Sequence, residues 1–238
     1  FFRRPSWYIF CGKNTPMLGR LPSFDYYRPA TLDETLTAME RLDGNFCVLA
    51  GGTDLLVGMK ERRGRHASLL DIKSIAELGG IRADNGTICL GATVNTRAIA
   101  ESSLVRERVP LLSQSLKLLG SMQIGNRATI GGNLSNASPA ADSAPPLLAL
   151  GASVKLVGKT KERWVPLDNF FIGPKKTVID GELLAADHVR DVDWNKVHFF
   201  FGDERMVPYG DSRSNWGTAK AAWLDALIPL LDNVASRD

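Results

Sequence analysis

The feature of this sequence that most limits its fold is the run GSMQIGNRATIGGNLSNASPAADS at residues 120–143. The run is rich in Gly, Asn, Ser and Ala and poor in large apolar residues, so it cannot form an ordinary core helix or strand. Apolar residues at helical spacing precede it at 110–119, and Pro145 begins a short helical pattern at 145–150. A loop of this length inside a compact domain is typically functional or disordered. The run is therefore a candidate binding segment.

The apolar patterns elsewhere predict helices packed on small sheets, which is an α+β fold. The clearest helix start is Thr31 followed by Glu34, a capping pair placed ahead of apolar residues at helical spacing. The predicted helices cover residues 31–42, 97–105, 110–119, 145–150 and 218–231. The predicted strands cover residues 47–50, 69–72, 87–90, 153–157, 163–167 and 197–202.

Two glycine pairs stand out as candidate anion-binding loops. Gly51-Gly52 directly follows a predicted strand, and Gly131-Gly132 lies within the polar run. A dinucleotide diphosphate needs convergent N–H donors, which the backbone supplies best where no Cβ blocks close approach. Each pair taken alone is typical of a simple turn. Neither matches GxGxxG or GxxxxGK[ST], which disfavours a Rossmann domain or a P-loop nucleotidase.

Polar residues beside the two pairs have matching chemistry. Thr53 and Thr129 carry hydroxyls that can donate to a phosphate or ribityl oxygen. Asp54 and Asp142 carry carboxylates that can accept hydrogen bonds from ribose or ribityl hydroxyls. The sequence therefore predicts a dinucleotide site that the two loops share.

Composition excludes several other classes of protein. A formal charge of +3 is too small to indicate a nucleic-acid-binding surface, and no apolar run is long enough for a membrane-spanning helix. Cys11, Cys47 and Cys89 form no CxxC pair, so we expect no bound metal and a reducing, cytoplasmic location. Residues 1–23 are basic, which is typical of a transit segment, with a fragment boundary or a non-native extension as the alternatives, so this stretch is left unassigned.

Residues 24–184 resemble the FAD-binding medium subunit of the molybdenum hydroxylase (xanthine/carbon monoxide dehydrogenase) family. Four blocks carry the resemblance: FDYYRPATLDETL at 24–36, VLAGGTDLLVGMK at 48–60, the polar run extended to 120–152, and VPLDNFFIGPKKT at 165–177. Their order and separations match the family over most of this stretch.

This resemblance implies a two-subdomain FAD-binding fold of the vanillyl-alcohol-oxidase/molybdopterin dehydrogenase type, truncated after residue 184. It implies an oxidoreductase subunit that passes electrons from iron–sulfur clusters through FAD to NAD or oxygen. The partners would be a molybdenum-cofactor large subunit and a 2Fe-2S small subunit. The implied FAD-binding residues are Ala50, Gly51, Gly52, Thr53, Asp54, Leu55, Leu119, Thr129, Gly131, Gly132, Asn133 and Asp142.

After residue 184 the sequence changes character. The stretch 190–234, with WNKVHFFFGDERMVP at its centre, resembles a fragment of 6-phosphogluconolactonase. That resemblance places Asp203, Glu204 and Arg205 at a sugar-phosphate site, while the segments that carry the family's phosphate loop and catalytic base are not matched. We expect residues 185–238 to be a lactonase-like strand–loop–helix piece, appended by fusion, recombination or chimera formation. A lactone hydrolase and an inactive chimera remain the alternatives to the flavoprotein.

Overall fold

A computed structural model describes residues 21–61, 63, 67–84 and 86–190. The first sheet has three parallel strands in the order β1-β3-β2, formed by β1 (Asp25–Tyr27), β2 (Phe46–Leu49) and β3 (Ser68–Asp71). Helix α1 (Leu32–Leu42) connects β1 to β2, and α2 (Leu55–Lys60) follows β2. Because the carboxyl ends of parallel strands meet at one edge of a sheet, the loop after β2 opens at that edge.

Helix α1 begins and ends where its sequence indicates. The Thr31 side chain accepts a hydrogen bond from the Glu34 backbone N–H, and Glu34 Oε2 accepts one from the Ala30 backbone N–H at 2.7 Å. Asp43, in a left-handed conformation, ends the helix. The apolar side of α1 then packs Leu36 and Met39 into a core shared with β3.

The second sheet has five antiparallel strands in the order β4-β5-β10-β6-β7. Its strands are β4 (Ile81–Asp84), β5 (Thr87–Gly91), β6 (Ser153–Val157), β7 (Glu162–Pro166) and β10 (Leu183–Arg190). A small hairpin, β8 (Phe171–Gly173) with β9 (Lys176–Thr177), lies between β7 and β10 in the chain. The helices that follow β5 are α3 (Thr96–Glu101), α4 (Ser103–Arg108), α5 (Pro110–Lys117), α6 (Met122–Gly125), α7 (Ile130–Ser135) and α8 (Ala144–Ala149).

These helices share a core with one face of the five-stranded sheet. Fully buried residues from both layers meet there, including Leu90 and Val154 from the sheet and Leu112, Leu134 and Leu147 from the helices. Mixed parallel and antiparallel sheets with helices on their faces confirm the predicted α+β class.

Two parts of the secondary structure differ from the prediction. The helix predicted at 97–105 is interrupted at Ser102, whose side chain accepts a hydrogen bond from the Val105 N–H and starts α4. The polar run 120–143 is not a continuous loop, because Ser121 and Thr129 cap the short helices α6 and α7. Small polar residues therefore act as helix starts in a segment where apolar periodicity gives no signal.

Strand β10 crosses the boundary that we predict at 184/185. It pairs with β5 as far as Arg190 and with β6 as far as His188, and it occupies the centre of the sheet. We therefore propose that the first domain extends at least to Arg190. The predicted strand 197–202, the predicted helix 218–231 and the residues Asp203, Glu204 and Arg205 lie outside the described residues, as do residues 1–20 of the basic leader.

Asp187 is an unusual residue at the centre of β10. Its register partners are Leu90 on β5 and Val154 on β6, so its side chain points toward the apolar core. It is 0% exposed, and neither carboxylate oxygen has a hydrogen-bond partner in the described structure. Burial without a partner raises the pKa of Asp187 to about 8, so the group is held in its neutral form at neutral pH.

Candidate functional site

A cleft of about 510 Å³ lies where the parallel-sheet subdomain meets the helices and the five-stranded sheet. Ten of the predicted binding residues line it: Ala50, Gly51, Gly52, Thr53, Asp54, Leu55, Thr129, Gly131, Gly132 and Asn133. Two segments far apart in the sequence are thus brought to one cavity, as the sequence predicts.

The loop after β2 presents a row of backbone donors to the cleft. In the described part of the chain, the backbone N–H groups of Gly51, Gly52, Thr53 and Asp54 donate to no protein acceptor. Gly52 has φ +73°, a conformation that glycine adopts without strain. The Asp54 side chain makes no capping hydrogen bond to α2, so its carboxylate stays available to ligand hydroxyls. This loop has the donor set that an anionic dinucleotide needs.

The second glycine pair acts differently from our expectation. The Gly131 N–H donates to the Ala92 carbonyl at 3.0 Å, and the Gly132 N–H donates to Thr129 Oγ1 at 3.2 Å. Both amides are therefore engaged within the protein, and the expectation that the second glycine pair, like the first, offers free N–H donors to a diphosphate is wrong. Thr129 caps α7 by accepting the hydrogen bond from Gly132 with Oγ1, which leaves its O–H free to donate, and Asn133 is held by a hydrogen bond from Ser143.

Close packing explains why two of these residues are glycines. A Cβ on Gly51 would lie 2.3 Å from the Arg127 carbonyl oxygen, and a Cβ on Gly131 would lie 2.6 Å from the Ala92 Cβ. Both distances are far inside van der Waals contact, so a side chain at either position would push the two segments apart. Gly51 therefore lets the loop after β2 pack against the segment before α7, and Gly131 lets α7 pack against Ala92.

Two predicted residues do not line the cleft. Leu119 is 7% exposed and belongs to the core beneath the helices. Asp142 is exposed, and its backbone carbonyl accepts a 2.6 Å hydrogen bond from Ser115 Oγ. Their proposed places beside the flavin and the ribityl chain come from family resemblance, and they stay predictions.

Several lining residues were missed by sequence reasoning. Cys47 and Ile72 come from β2 and the end of β3, Lys175 from the β8–β9 hairpin, and Glu182 and Leu183 from the start of β10. Of these residues, Ile72 alone has a signal in the sequence. It ends a predicted strand, and the carboxyl ends of parallel strands meet at the edge of the sheet where the loop after β2 opens. Burial raises the pKa of the Cys47 thiol, which keeps it protonated and unsuited to act as a nucleophile.

Glu182 is the buried acid of the cleft. Arg163 donates to it through Nε and Nη2, each at 2.8 Å, and Lys161 Nζ lies 3.7 Å away. The Arg163 guanidinium lowers the pKa of Glu182, so the carboxylate stays charged. The charge of this acid is therefore compensated inside the protein. The ion pair links β7 to the residue just before β10, and β6 separates these two strands in the sheet.

We expect Arg163→Met to destabilise the fold at neutral pH by more than the loss of an exposed ion pair does, because it removes the main partner of a buried carboxylate while Lys161 remains near. Protonation of Glu182 removes the uncompensated charge, so the deficit should shrink as the pH falls toward 4. Urea denaturation at both pH values measures this. Arg97→Met, which breaks a more exposed ion pair with Glu101, is the matched control and should change stability by less than about 0.5 kcal/mol. Equal losses in the two variants would contradict this role.

Comparison with known proteins assigns the two parts of the chain separately. The family model "FAD binding domain in molybdopterin dehydrogenase" matches residues 22–189. The family model "Glucosamine-6-phosphate isomerases/6-phosphogluconolactonase" matches residues 176–236, of which the structure describes 176–190. The second match agrees with the resemblance of the tail to 6-phosphogluconolactonase.

Similar proteins agree with the first match. The chain is 35% identical over 159 residues to the carbon monoxide dehydrogenase medium chain of Hydrogenophaga pseudoflava, covering 67% of this chain and 55% of the relative. It is 33% identical over 165 residues to a xanthine dehydrogenase FAD-binding subunit of Escherichia coli, covering 68% and 56%. A solved structure of the Hydrogenophaga pseudoflava carbon monoxide dehydrogenase superposes with a TM-score of 0.71 at 33% identity, covering 73% of this chain and 61% of that one.

The chain therefore spans little more than half the length of these relatives. The cleft fits the cofactor named by the family, since it offers unpaired amide donors beside close-packed glycines. The family match covers most of the chain, and the structural match has the same extent. The chain belongs to the family of FAD-binding domains of molybdopterin dehydrogenases, with FAD as the cofactor of residues 22–189.

Proposed function

We propose that this chain is the FAD-binding electron-transfer subunit of a molybdenum hydroxylase, in which electrons pass from iron–sulfur clusters through FAD to NAD or oxygen. The observation that carries the proposal is the cleft in which ten predicted residues from two distant segments meet. FAD supplies the redox chemistry when it is bound, and the protein supplies position and electrostatics.

The residues of the cleft have distinct tasks in this proposal. The amides of Gly51 to Asp54 donate to the diphosphate, and the Asp54 carboxylate accepts from sugar hydroxyls. Gly131 and Thr129 hold α7 against Ala92 and so keep the far wall in place. Asp142 and Leu119 complete the proposed set near the ribityl chain and the flavin.

The partners follow from the same proposal. Relatives are named as medium chains and FAD-binding subunits, so we propose a molybdenum-cofactor large subunit and a 2Fe-2S small subunit as partners, in the cytoplasm. Among the described residues, no helix has the length and apolar character to cross a bilayer.

The first experiment is an absorption spectrum of the purified full chain, followed by release and mass identification of any cofactor. We expect flavin absorption bands and release of FAD. A colourless protein that remains folded and does not take up added FAD would reject the proposal. FMN or riboflavin as the released flavin would reject the dinucleotide part of it.

A second candidate function rests on the match of residues 176–236 to the isomerase/lactonase family. In that reading the chain hydrolyses a sugar-phosphate lactone, with Asp203, Glu204 and Arg205 at the phosphate. Hydrolysis of 6-phosphogluconolactone by flavin-free protein would favour it over the first proposal. A folded chain with neither flavin binding nor hydrolysis would favour an inactive chimera.

A further inference from the structure

A lysine occupies a turn position that usually holds glycine or asparagine. Pro174 and Lys175 form the turn between the paired residues Gly173 and Lys176 of the β8–β9 hairpin. Lys175 has φ +59°, in the left-handed region. Turns with Pro first and a positive φ second favour glycine at the second position, so lysine is held here at a conformational cost. Such a cost is often retained where the side chain has a function.

The turn is hydrogen-bonded to the residues that follow α7, in the far wall of the cleft. The Lys175 N–H donates to the Ala137 carbonyl at 2.8 Å, and Lys175 Nζ donates to Asn136 Oδ1 at 2.9 Å. Asn136 and Ala137 directly follow α7, the helix that begins at the second glycine pair. Both contacts place the ammonium group at the wall of the cleft, which Lys175 lines together with Asn136.

The charges of the cleft leave this lysine without an acidic partner. Among the described residues, four charged side chains line the cavity: Asp54, Arg63, Lys175 and Glu182. Arg63 pairs with Glu61, and Glu182 pairs with Arg163. Within the described part of the chain, Lys175 forms no ion pair, and its contact is the neutral amide of Asn136. Asp54 also forms no ion pair in the described structure, so Lys175 and Asp54 are the two unpaired charges of the cleft, and Lys175 is the cation that an anionic ligand can pair with.

An anionic ligand would complete this arrangement. The loop after β2 offers N–H groups but no full positive charge, whereas a dinucleotide diphosphate carries two negative charges. We propose that Lys175 is the cationic residue that pairs with the diphosphate of the bound FAD, opposite the amides of Gly51 to Asp54. This inference rests on the proposed FAD site and assigns the charge recognition within it.

The test compares Lys175→Met with Lys176→Met. Both lysines are exposed, but Lys176 does not line the cleft. FAD affinity is measured on the full chain by flavin fluorescence at several salt concentrations. We expect Lys175→Met to bind FAD about 10-fold or more weakly and with a shallower salt dependence, and Lys176→Met to match the unmodified chain. Lys175→Arg should recover most of the affinity, because it restores the positive charge.

Two further measurements separate charge recognition from a structural role. Lys175→Gly suits the left-handed turn, so it should keep the fold while losing the same affinity as Lys175→Met. Riboflavin, which has no phosphate, should bind all variants alike. Equal FAD affinity in Lys175→Met and Lys176→Met, or equal losses for FAD and riboflavin, would overturn the inference and leave the FAD site standing. An unmodified chain that binds no FAD would overturn the inference together with the proposed function.

Discussion

Replacing Asp187 by Val should raise the stability of this protein at pH 7.5 by about 3 to 5 kcal/mol, with a melting temperature about 10 °C higher. The carboxyl group is fully buried between Leu90 and Val154 and has no hydrogen-bond partner in the described structure. Val has a similar volume, suits a central strand and carries no polar atom to desolvate. Thermal and urea denaturation of the two proteins measure the difference.

The gain should depend on pH in a defined direction. Burial raises the folded-state pKa of Asp187 from 3.8 to about 8, so the folded protein keeps a proton that the unfolded chain loses. Stability therefore falls as the pH rises from about 4 to about 8, by roughly 5 kcal/mol in total at most. The advantage of Asp187→Val should be smallest near pH 4 and should level off above pH 8.

Two variants test this cause. Asp187→Asn cannot ionise, so it should lose the pH dependence while keeping an unpaired polar group in the core. Asp168→Asn alters an exposed carboxylate and should change little at any pH. Glu182 contributes a pH dependence of opposite sign, which cancels when Asp187 variants are compared with the unmodified chain. A Val variant no more stable than the unmodified chain would mean that Asp187 has a partner outside the described residues.

Asp187 also explains why β10 was not predicted from the sequence. Residues 183–184 end the apolar pattern that matches the first family, and 185–188 read Ala-Ala-Asp-His, which alternates in no recognisable way. The strand continues because β5 pairs with residues 186–190 and β6 pairs with residues 183–188 around a register shift, so both edges of the strand find hydrogen-bond partners. Tertiary pairing therefore overrides local sequence at the point where the sequence changes character.

The sequence predicts more of the candidate site than of the fold around it. The two glycine pairs are visible in the sequence because glycine marks positions with unusual backbone demands, whatever the cause of the demand. What the sequence does not reveal is that cause: Gly131 meets Ala92 of the protein, and its amide is engaged there. Lys175 was missed for a related reason, since a left-handed turn without glycine or asparagine carries no sequence signal.

The second large effect is expected at Gly51, where close packing against the protein requires glycine. We expect Gly51→Ala to weaken FAD binding by about 100-fold or more and to destabilise the fold by about 1 to 3 kcal/mol. The added Cβ would lie 2.3 Å from the Arg127 carbonyl oxygen and 2.9 Å from the Ala128 Cα, so the two walls of the cleft must separate. FAD titration and thermal denaturation of the same preparation measure both losses.

The two readouts distinguish the packing role of Gly51 from a role in ligand approach alone. Separation of the walls moves the loop after β2 away from α7. The stability of the FAD-free protein and its affinity for FAD should therefore fall together. A glycine needed only for approach of the ligand would lose affinity while the FAD-free protein kept its melting temperature. Gly173→Ala is the control, because its Cβ meets no atom within 4 Å and its φ is not positive. If Gly51→Ala behaves like Gly173→Ala in both measurements, the walls do not meet at Gly51 and the shared cleft is wrongly described.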